Sequence, residues 1–145
     1  MTSLTLHGTT VALKEKAVLI LGKPGMGKSS LALQLIDRGA KLVADDQTCL
    51  TLEKDALYAS CPAPLKGLME VRGVGLCPFP SQDTVPLALV VELCEPQDLQ
   101  RLPDPSFVQY HGIEVPSLKV ASHDFLGAFK VEIKLNLPEA EEMHA

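Results

Sequence analysis

The clearest pattern along the chain is a pair of short segments in which apolar residues follow one another without alternation. Residues 17–21 read AVLIL, and residues 87–93 read LALVVEL. Runs of this length are typical of central strands that are covered on both faces of a sheet. A buried sheet of this kind predicts an α/β fold.

Two further stretches have the spacing of helices. After the first apolar run, residues 28–38 place Leu31, Leu35 and Ile36 at helical intervals, and Gly39 follows where glycine commonly ends a helix. Near the C-terminus, Ser122 is a suitable N-cap for a second helix. The apolar residues on which this second helix is predicted are Phe125, Leu126, Phe129 and Ile133.

The remaining segments predict strands and loops. Strands are expected at residues 4–13 with a turn near Gly8, at 41–44, in a hairpin of 49–52 and 56–59, and at 112–120 with an interruption at Pro116. Residues 65–76 contain three glycines and permit no assignment, while residues 95–105 predict a polar surface loop.

Composition narrows the class of protein. The 145 residues are 46% hydrophobic and 21% charged, so we expect one globular domain over residues 1–137 and a frayed acidic tail at 138–145. The net charge of −5 disfavours a broad surface for nucleic acid or anionic membrane. Because the N-terminus has no leader pattern and no apolar run approaches the ~20 residues of a membrane span, we expect a cytoplasmic protein.

The cysteines are scattered along the chain. Cys49, Cys61, Cys77 and Cys94 contain no CxxC pair. They therefore indicate neither a zinc site nor a dithiol redox centre, and they agree with a reducing compartment.

The segment between the first apolar run and the first helix carries a phosphate-binding pattern. Glycines allow successive backbone amides to point at phosphate oxygens, and the N-terminus of the helix adds its dipole. The Lys28 ammonium can reach the β- and γ-phosphates, and the Ser29 hydroxyl can bind Mg²⁺. We therefore predict a site for ATP and Mg²⁺ that includes Ser30. The residues that fit G-x-x-x-x-G-K-[ST] are Gly22, Lys23, Pro24, Gly25, Met26, Gly27, Lys28 and Ser29.

Two carboxylates follow the next predicted strand. Asp45 lies seventeen residues after Lys28, and Asp46 comes directly after it. We expect strand 41–44 to lie beside the strand that precedes the loop, which brings both carboxylates to the edge where parallel sheets bind ligands. Successive side chains point to opposite sides, so one carboxylate can serve a metal and the other a proton. A solvated turn is the alternative, because Asp is common in turns.

Further elements accompany the loop. They are His7-Gly8 upstream, Arg38-Gly39 at the end of the helix, Leu42 to Asp46, and the sequence EVRGVGL at residues 70–76, which fits E-[IV]-R-G-[LV]-G-[IL]. Together these features resemble the catalytic core of bacterial HPr kinase/phosphorylase. The resemblance is close over residues 4–77 and loose over residues 87–135.

The resemblance implies a fold and an activity. The fold is a single α/β domain with a mixed sheet, of the P-loop type found in HPr kinase and in proteins similar to phosphoenolpyruvate carboxykinase. The activity is phosphorylation of a serine of HPr, the phosphocarrier of the sugar phosphotransferase system, with ATP and Mg²⁺. The family also removes this phosphate with inorganic phosphate and releases pyrophosphate. A homo-hexamer is a further implication.

The resemblance also gives individual residues their roles. Asp45 resembles the carboxylate that takes the proton of the substrate serine, and His7 matches the histidine that supports this transfer. Ser29 and Glu70 match ligands of Mg²⁺, and Asp46 lies near the metal. Lys28, which binds the phosphates, is also expected to take part in the reaction.

Two arginines have weaker parallels, and several roles have simpler alternatives. Arg101 loosely matches an arginine that steadies the transferred phosphoryl group, and Arg72 lies in the signature loop that shapes the site. Without the resemblance, Arg101 is equally well explained as a solvated loop residue. Glu70 and Arg72 could form a surface charge pair, and His7 is then better explained as an exposed turn residue.

The chain departs from the family pattern in three places. It starts at the catalytic core without the family's additional N-terminal domain, and after Gly75 it lacks a segment that contains Leu-Phe-Gly. Residues 120–126 read VASHDFL where the family has Val-Arg-Pro-Gly-Arg-Asn. These departures concern docking of the substrate, phosphorolysis and regulation, and they leave the nucleotide chemistry in place.

Two other functions fit parts of the pattern. A nucleotide-binding regulatory module needs the loop but no proton acceptor, so Asp45 and His7 argue against it. A small-molecule kinase usually closes its site with an arginine-rich lid, and the sequence contains no such segment. The sequence therefore favours phosphoryl transfer to HPr or a related phosphocarrier.

Overall fold

The computed structural model describes residues 2–62 and 64–137, which form eleven strands and two α-helices. The strands are β1 (Thr2–His7), β2 (Thr9–Leu13), β3 (Lys16–Leu21), β4 (Lys41–Ala44), β5 (Gln47–Glu53), β6 (Ala56–Ser60), β7 (Leu68–Val71), β8 (Gly75–Pro78), β9 (Val85–Cys94), β10 (Ser106–Tyr110) and β11 (Ile113–Ala121). The helices are α1 (Lys28–Asp37) and α2 (Gly127–Asn136), and a 3₁₀ turn covers Pro96–Asp98. The predicted tail, residues 138–145, lies outside the described residues.

The two apolar runs of the sequence become the parallel central strands β3 and β9 of a nine-stranded sheet within the described ranges. Next to β3 lies β2, and next to β2 lies β4, with antiparallel pairing at both steps. The first residues of β9 pair with β6, which leads to β5 and β1, and its last residues pair in parallel with β11, which leads to β10. β7 and β8 form a separate hairpin. The predicted α/β fold with a mixed sheet is confirmed.

The alternation of side chains along β3 divides the interior into two cores. Val18 and Ile20 pack on one face with residues of α1, among them Leu35. Leu19 points to the other face and packs with Leu50 of β5. All five side chains are at most 1% exposed. Burial on both faces explains why the sequence of β3 is continuously apolar.

The position of β4 corrects one expectation. β4 does not lie beside β3, because β2 is inserted between them and is antiparallel to both. β3 and β4 therefore run in the same direction, and their C-terminal ends lie on the same edge of the sheet. Asp45, which follows β4, still reaches the segment that follows β3.

The start of α2 corrects a second expectation. The helix begins at Gly127, so Ser122 lies outside it and is not its N-cap. The Ser122 hydroxyl instead donates to the carbonyl oxygen of Met26 at 2.6 Å. Near the start of the helix, Asp124 Oδ1 accepts a hydrogen bond from the amide of Leu126 at 2.9 Å.

The apolar residues that predicted α2 face outward. The exposed fractions are 85% for Phe125, 43% for Leu126, 50% for Phe129 and 46% for Ile133. The helix is held by its small residues, because Gly127, Ala128 and Val131 are the ones that it buries. The helix was correctly expected, but from Phe129 and Ile133, which it exposes, and from Phe125 and Leu126, which precede its first residue.

Several segments are more regular than the sequence indicated. Most of residues 65–76, which permitted no assignment, belong to the β7–β8 hairpin, and β10 was not expected at all. β11 continues through Pro116 without interruption, because Pro116 pairs with Phe107 on β10 and pairing with β9 begins only at Ser117. The expected hairpin of β5 and β6 is confirmed.

All four cysteines are free thiols. Burial raises the pKa of the Cys61 and Cys94 thiols, which makes both of them less reactive at neutral pH. Neither α1 nor α2, the helices of the described ranges, is long and apolar enough to cross a membrane.

Candidate functional site

The glycine-rich loop, residues 22–29, connects β3 to α1. Gly25 and Gly27 have φ angles of +83° and +100°, which residues with a side chain rarely adopt. Gly27 is the N-cap of α1, and its carbonyl accepts a hydrogen bond from the Leu31 amide at 2.9 Å. The two glycines therefore allow the chain to turn from the strand into the helix.

A group of backbone amides in this loop and in the first turn of α1 has no backbone partner. Within residues 2–62 and 64–137, these amides donate to no carbonyl, because the first amides of a helix lack intrahelical acceptors. The positive end of the helix dipole lies at the same place and favours an anion. Free amides at a helix N-terminus are the chemistry that binds phosphate. The residues concerned are Gly25, Gly27, Lys28, Ser29 and Ser30.

The Lys28 side chain folds back over the loop. Its Nζ lies 2.6 Å from the carbonyl oxygen of Gly22 and 3.4 Å from that of Lys23. These bonds hold the ammonium at the start of the loop. Its positive charge therefore adds to the partial charges of the amides.

Asp45 is the centre of a hydrogen-bond network that joins three segments. Its Oδ1 accepts hydrogen bonds from the hydroxyl of Ser29 at 3.0 Å and from the hydroxyl of Thr9 at 3.1 Å. Its Oδ2 accepts one from the amide of Glu70 at 3.2 Å. The structure thus places Asp45 beside the glycine-rich loop, as the sequence predicted.

Thr9 is a site residue that sequence analysis missed. Its hydroxyl donates to Asp45 Oδ1 and accepts a hydrogen bond from the amide of Asp46 at 3.2 Å. The residue is 1% exposed. Thr9 therefore fixes both carboxylate-bearing residues, and its only signal in the sequence was its position after His7-Gly8.

The close approach of residue 8 to β3 explains why a glycine follows His7. A Cβ at Gly8 would lie 2.9 Å from the carbonyl oxygen of Ile20, closer than side chains normally approach a backbone atom. The Gly8 amide also donates to the carbonyl of Asp46 at 2.9 Å. The glycine thus allows the chain to pass closely over β3 where β1 ends and β2 begins.

His7 and Asp46 are brought together by this arrangement. His7 is the last residue of β1 and pairs with Gln47, the residue after Asp46. Both His7 and Asp46 are exposed, and Asp46 has a φ of +67°. Asp46 therefore differs from Asp45, whose carboxylate is half-buried and hydrogen-bonded.

The signature sequence of residues 70–76 forms the hairpin of β7 and β8. Met69 anchors it in the core on the α1 side and is 0% exposed. The Glu70 amide reaches Asp45, while the side chains of Glu70 and Arg72 are exposed. Among the ion pairs of the described residues, none joins Glu70 to Arg72. The pairing considered as an alternative is therefore not formed.

Arg101 is exposed in the segment between the 3₁₀ turn and β10. This segment leaves the C-terminal end of β9, which is parallel to β3, so it begins at the same sheet edge as the glycine-rich loop. In the part of the chain that is described, Arg101 forms no ion pair. Among the described residues, this shared edge is the feature that associates Arg101 with the glycine-rich loop.

Two residues that directly follow β11 contact the loop, and sequence analysis gave neither of them a place in the site. Ser122 donates to the Met26 carbonyl at 2.6 Å, and His123 Nε2 lies 3.1 Å from the Gly25 carbonyl. β11 runs parallel to β9, so its C-terminal end lies at the same edge as that of β3. Polar residues after a third strand at this edge were the signal available in the sequence.

The residues expected near Mg²⁺ carry oxygen donors, which this ion prefers. The Ser29 hydroxyl donates a hydrogen bond to the Asp45 carboxylate, and the backbone amide of Glu70 donates another to the same carboxylate. Across residues 2–62 and 64–137, no three His, Cys, Asp or Glu side chains form a metal cluster. Mg²⁺ usually takes one or two protein ligands and completes its shell with phosphate and water. The donors present fit such an ion.

Comparison with known proteins identifies the family. Residues 1–123 match the family model described as the HPr serine kinase C-terminal domain. The chain is 36% identical over 127 residues to the HPr kinase/phosphorylase of Cupriavidus metallidurans, which covers 80% of the chain and 39% of the relative. It is 48% identical over 75 residues to the HPr kinase/phosphorylase of Peptoclostridium acidaminophilum, which covers 51% of the chain and 24% of the relative.

A solved structure has the same architecture. The structure of the Hpr(Ser) kinase/phosphatase from Coxiella burnetii matches with a TM-score of 0.82 and 28% identity, over 98% of this chain and 99% of that chain. The chain spans 39% of the length of the curated relative from Cupriavidus metallidurans. The sequence match and the structural match both cover most of the chain, including the glycine-rich loop and Asp45. The chain belongs to the HPr serine kinase C-terminal domain family.

Proposed function

We propose that this domain binds ATP with Mg²⁺ and transfers the γ-phosphoryl group to a serine of HPr or a related phosphocarrier. The observation that carries the proposal is the hydrogen bond between Ser29 and Asp45, which joins the glycine-rich loop to a carboxylate. Phosphoryl transfer requires these two elements side by side, because the loop holds the phosphates and the carboxylate meets the attacking hydroxyl. The names of the relatives support the choice of HPr as acceptor.

The nucleotide is proposed to bind through its phosphates. The free amides of the loop and of the first turn of α1 supply hydrogen bonds, and the helix dipole supplies positive potential. Lys28 adds a full charge beside them. Bound Mg²⁺, held by Ser29 with Glu70 and Asp46 nearby, would neutralise charge on the phosphates.

Asp45 is proposed as the proton acceptor. A carboxylate offers about four acceptor positions, and three of them are filled by Ser29, Thr9 and Glu70. One position of Oδ2 remains, and the three bonds fix its direction. The serine oxygen would attack the γ-phosphorus and give its proton to Asp45, while the bond from phosphorus to the ADP oxygen breaks. His7, beside Asp46, would support movement of the proton.

The reverse reaction uses the same groups. An oxygen of inorganic phosphate would attack the phosphorus of phosphoserine and form pyrophosphate, while the bond from phosphorus to the serine oxygen breaks and protonated Asp45 gives its proton to that oxygen. The names of relatives, kinase/phosphorylase and kinase/phosphatase, support both directions. The positive charge of Arg101 would steady the transferred phosphoryl group. Arg101 lies on a segment that starts at the same sheet edge as the glycine-rich loop.

The proposal includes a setting for the reaction. Residues 1–137 would act as one catalytic domain in the cytoplasm, and copies of it would assemble into a homo-hexamer. Light scattering on the purified protein tests the assembly. No nucleic acid or membrane takes part in the proposed reaction.

Transfer of labelled phosphate tests the function. The protein is incubated with Mg²⁺, ATP labelled at the γ-phosphate and purified HPr, and the modified residue is located by mass spectrometry. We expect label on one serine of HPr and none when that serine is replaced by alanine. If the folded protein binds ATP but leaves HPr unlabelled, it is a nucleotide-binding regulatory module and the proposed transfer is wrong.

A further inference from the structure

Two consecutive carbonyl groups of the glycine-rich loop are held from outside the loop. The Ser122 hydroxyl donates to the Met26 carbonyl at 2.6 Å, and His123 Nε2 lies 3.1 Å from the Gly25 carbonyl. We call Ser122 and His123 the loop clamp. The clamp is ninety-six positions or more from its partners in sequence, so it ties the end of β11 to the loop after β3.

Because the peptide bond is planar, a contact that fixes a carbonyl group also fixes the direction of the amide that follows it. A peptide unit is planar and trans, so its C=O and the following N–H point in opposite directions. A Met26 carbonyl that points at Ser122 therefore turns the Gly27 amide away from the clamp. Gly27 is one of the residues whose amide has no backbone acceptor within the described ranges, so Ser122 sets the direction of a free donor.

His123 holds the preceding peptide unit of the loop, the one that joins Gly25 to Met26. A carbonyl oxygen only accepts hydrogen bonds, so Nε2 must carry the hydrogen, whichever state Nδ1 adopts. The same peptide unit contains the Met26 amide, which donates to the Lys23 carbonyl at 3.2 Å and closes the turn of the loop. The bond from His123 therefore supports the turn that shapes the loop.

Two observations show that His123 is held closely against the loop. Its own φ is +60°, a conformation that costs free energy for a residue with a side chain. Its ring atoms Nδ1 and Cε1 lie 3.2 Å from the place where a Cβ on Gly27 would stand. The imidazole thus lies against Gly27, and a side chain there would have to displace it by a few tenths of an ångström.

We propose that Ser122 and His123 are positioning residues that pre-organise the amides of the glycine-rich loop for a polyphosphate. The identity of the ligand in this inference rests on the proposed function. The claim that Ser122 and His123 order the loop does not depend on that function. A loop that is already ordered loses less conformational entropy when it binds. The clamp therefore strengthens phosphate binding without touching the phosphate.

Four variants test the clamp. His123→Leu removes the donor, His123→Gln restores an N–H at similar reach, and Ser122→Ala removes only a hydroxyl. His111→Leu, in the turn between β10 and β11, is the matched control for loss of a histidine. Amide hydrogen exchange of residues 22–30 is measured without nucleotide, and the Kd for ATP with Mg²⁺ is measured by calorimetry.

We expect His123→Leu and Ser122→Ala each to speed exchange in the loop and to weaken ATP binding by about 5-fold, the equivalent of one ordinary hydrogen bond. His123→Gln should restore both values, and His111→Leu should change neither. The proposal is overturned if loop exchange and Kd in the Leu and Ala variants equal those of the wild type, or if Gln behaves as Leu does. If His123→Leu fails to fold, Ser122→Ala decides.

The two proposals can fail separately. If the wild type shows no affinity for ATP, the proposed function is wrong, and loop exchange alone then decides whether the clamp orders the loop. If the wild type binds ATP and the clamp variants bind it equally well with unchanged exchange, the proposed function stands and the clamp is wrong.

Discussion

The hydroxyl of Ser29, at the start of α1, donates a 3.0 Å hydrogen bond to the carboxylate of Asp45, which follows β4. β2 lies between β4 and β3, the strand that leads through the glycine-rich loop to Ser29. The contact is possible because β2 is antiparallel to both β3 and β4, so these two strands end at the same edge. Asp45 therefore lies directly beside the glycine-rich loop.

Replacing Lys28 tests the contribution of its charge to nucleotide binding. Lys28→Met keeps the length of the side chain but removes the ammonium that lies over the loop. A lost charge-assisted hydrogen bond corresponds to roughly a 10- to 100-fold weaker Kd for ATP. Calorimetry measures the effect, and Lys14→Met, at an exposed position before β3, should bind as the wild type does. Equal affinities for the two variants would remove Lys28 from the site.

Replacing Thr9 tests the support of Asp45. Thr9→Val removes the hydroxyl that bonds to Asp45 and to the Asp46 amide, so we expect kcat to fall by about 10-fold and the free energy of unfolding by about 1 kcal/mol. Thr9→Ser keeps the hydroxyl and should restore kcat, although it removes a buried methyl group and should remain less stable than the wild type.

Thr10→Val is the matched control for Thr9. It removes a buried 2.8 Å hydrogen bond between the hydroxyls of Thr10 and Thr48, and Thr10 forms no hydrogen bond with Asp45 among the described contacts. We expect a similar loss of stability and an unchanged kcat. If Thr10→Val and Thr9→Val reduce kcat equally, Thr9 acts only through stability.

Replacing Gly8 tests the close passage of the chain over β3. In Gly8→Ala the new Cβ would meet the Ile20 carbonyl at 2.9 Å, so the backbone has to shift. Overpacking of this kind costs about 1–3 kcal/mol in the free energy of unfolding. Denaturant unfolding measures it, and Thr5→Ala, on the exposed side of β1, should change stability by no more than about 0.5 kcal/mol. An unchanged stability in Gly8→Ala would contradict the steric explanation.

A pH dependence follows from the carboxylate beside the loop clamp. Hydrogen bonds from Lys130 and then from the Leu126 amide lower the pKa of Asp124 below its ordinary value of about 4. The unfolded chain therefore binds this proton more readily than the folded protein does. The stabilising contribution is fully present above the unfolded pKa and is lost as the pH falls through the folded pKa.

Lys130→Met measures this contribution. Because Lys130 is 45% exposed, we expect a loss of at most about 1 kcal/mol in the free energy of unfolding at pH 7. The difference from the wild type should shrink as the pH falls below about 4. Lys66→Met, which breaks a pair with both partners more than half exposed, should show a smaller effect. A difference that is constant between pH 7 and pH 2 would show that the ion pair is not its cause.

The local part of the fold could be predicted from the sequence. The run of residues 17–21 is apolar because both faces of β3 are buried, and the glycines after it are needed for the positive φ angles of the loop. These signals depend on neighbours in sequence. The loop and α1 were accessible for the same reason. Asp45 was expected at the correct edge of the sheet, although β4 was wrongly expected beside β3.

The long-range part could not be predicted. Nothing in residues 9–13 indicates that β2 inserts between β3 and β4, since strand order depends on partners far away in sequence. Ser122 has the local signal of an N-cap, but the Met26 carbonyl competes successfully for its hydroxyl. Phe129 and Ile133 have helical spacing, although α2 packs through the opposite face, which carries Gly127, Ala128 and Val131. Thr9 and His123 became recognisable only once their distant partners were known.

The central claim is that Asp45 accepts the proton of the substrate serine beside a nucleotide held by the glycine-rich loop. The most direct test is the single-turnover rate of phosphoryl transfer from ATP to HPr in Asp45→Asn, with the Kd for ATP measured on the same sample and Asp55→Asn as the matched control. We predict a rate at least about 100-fold below that of the wild type and a Kd within about 3-fold of it. Transfer by Asp45→Asn at the rate of the wild type would contradict the claim.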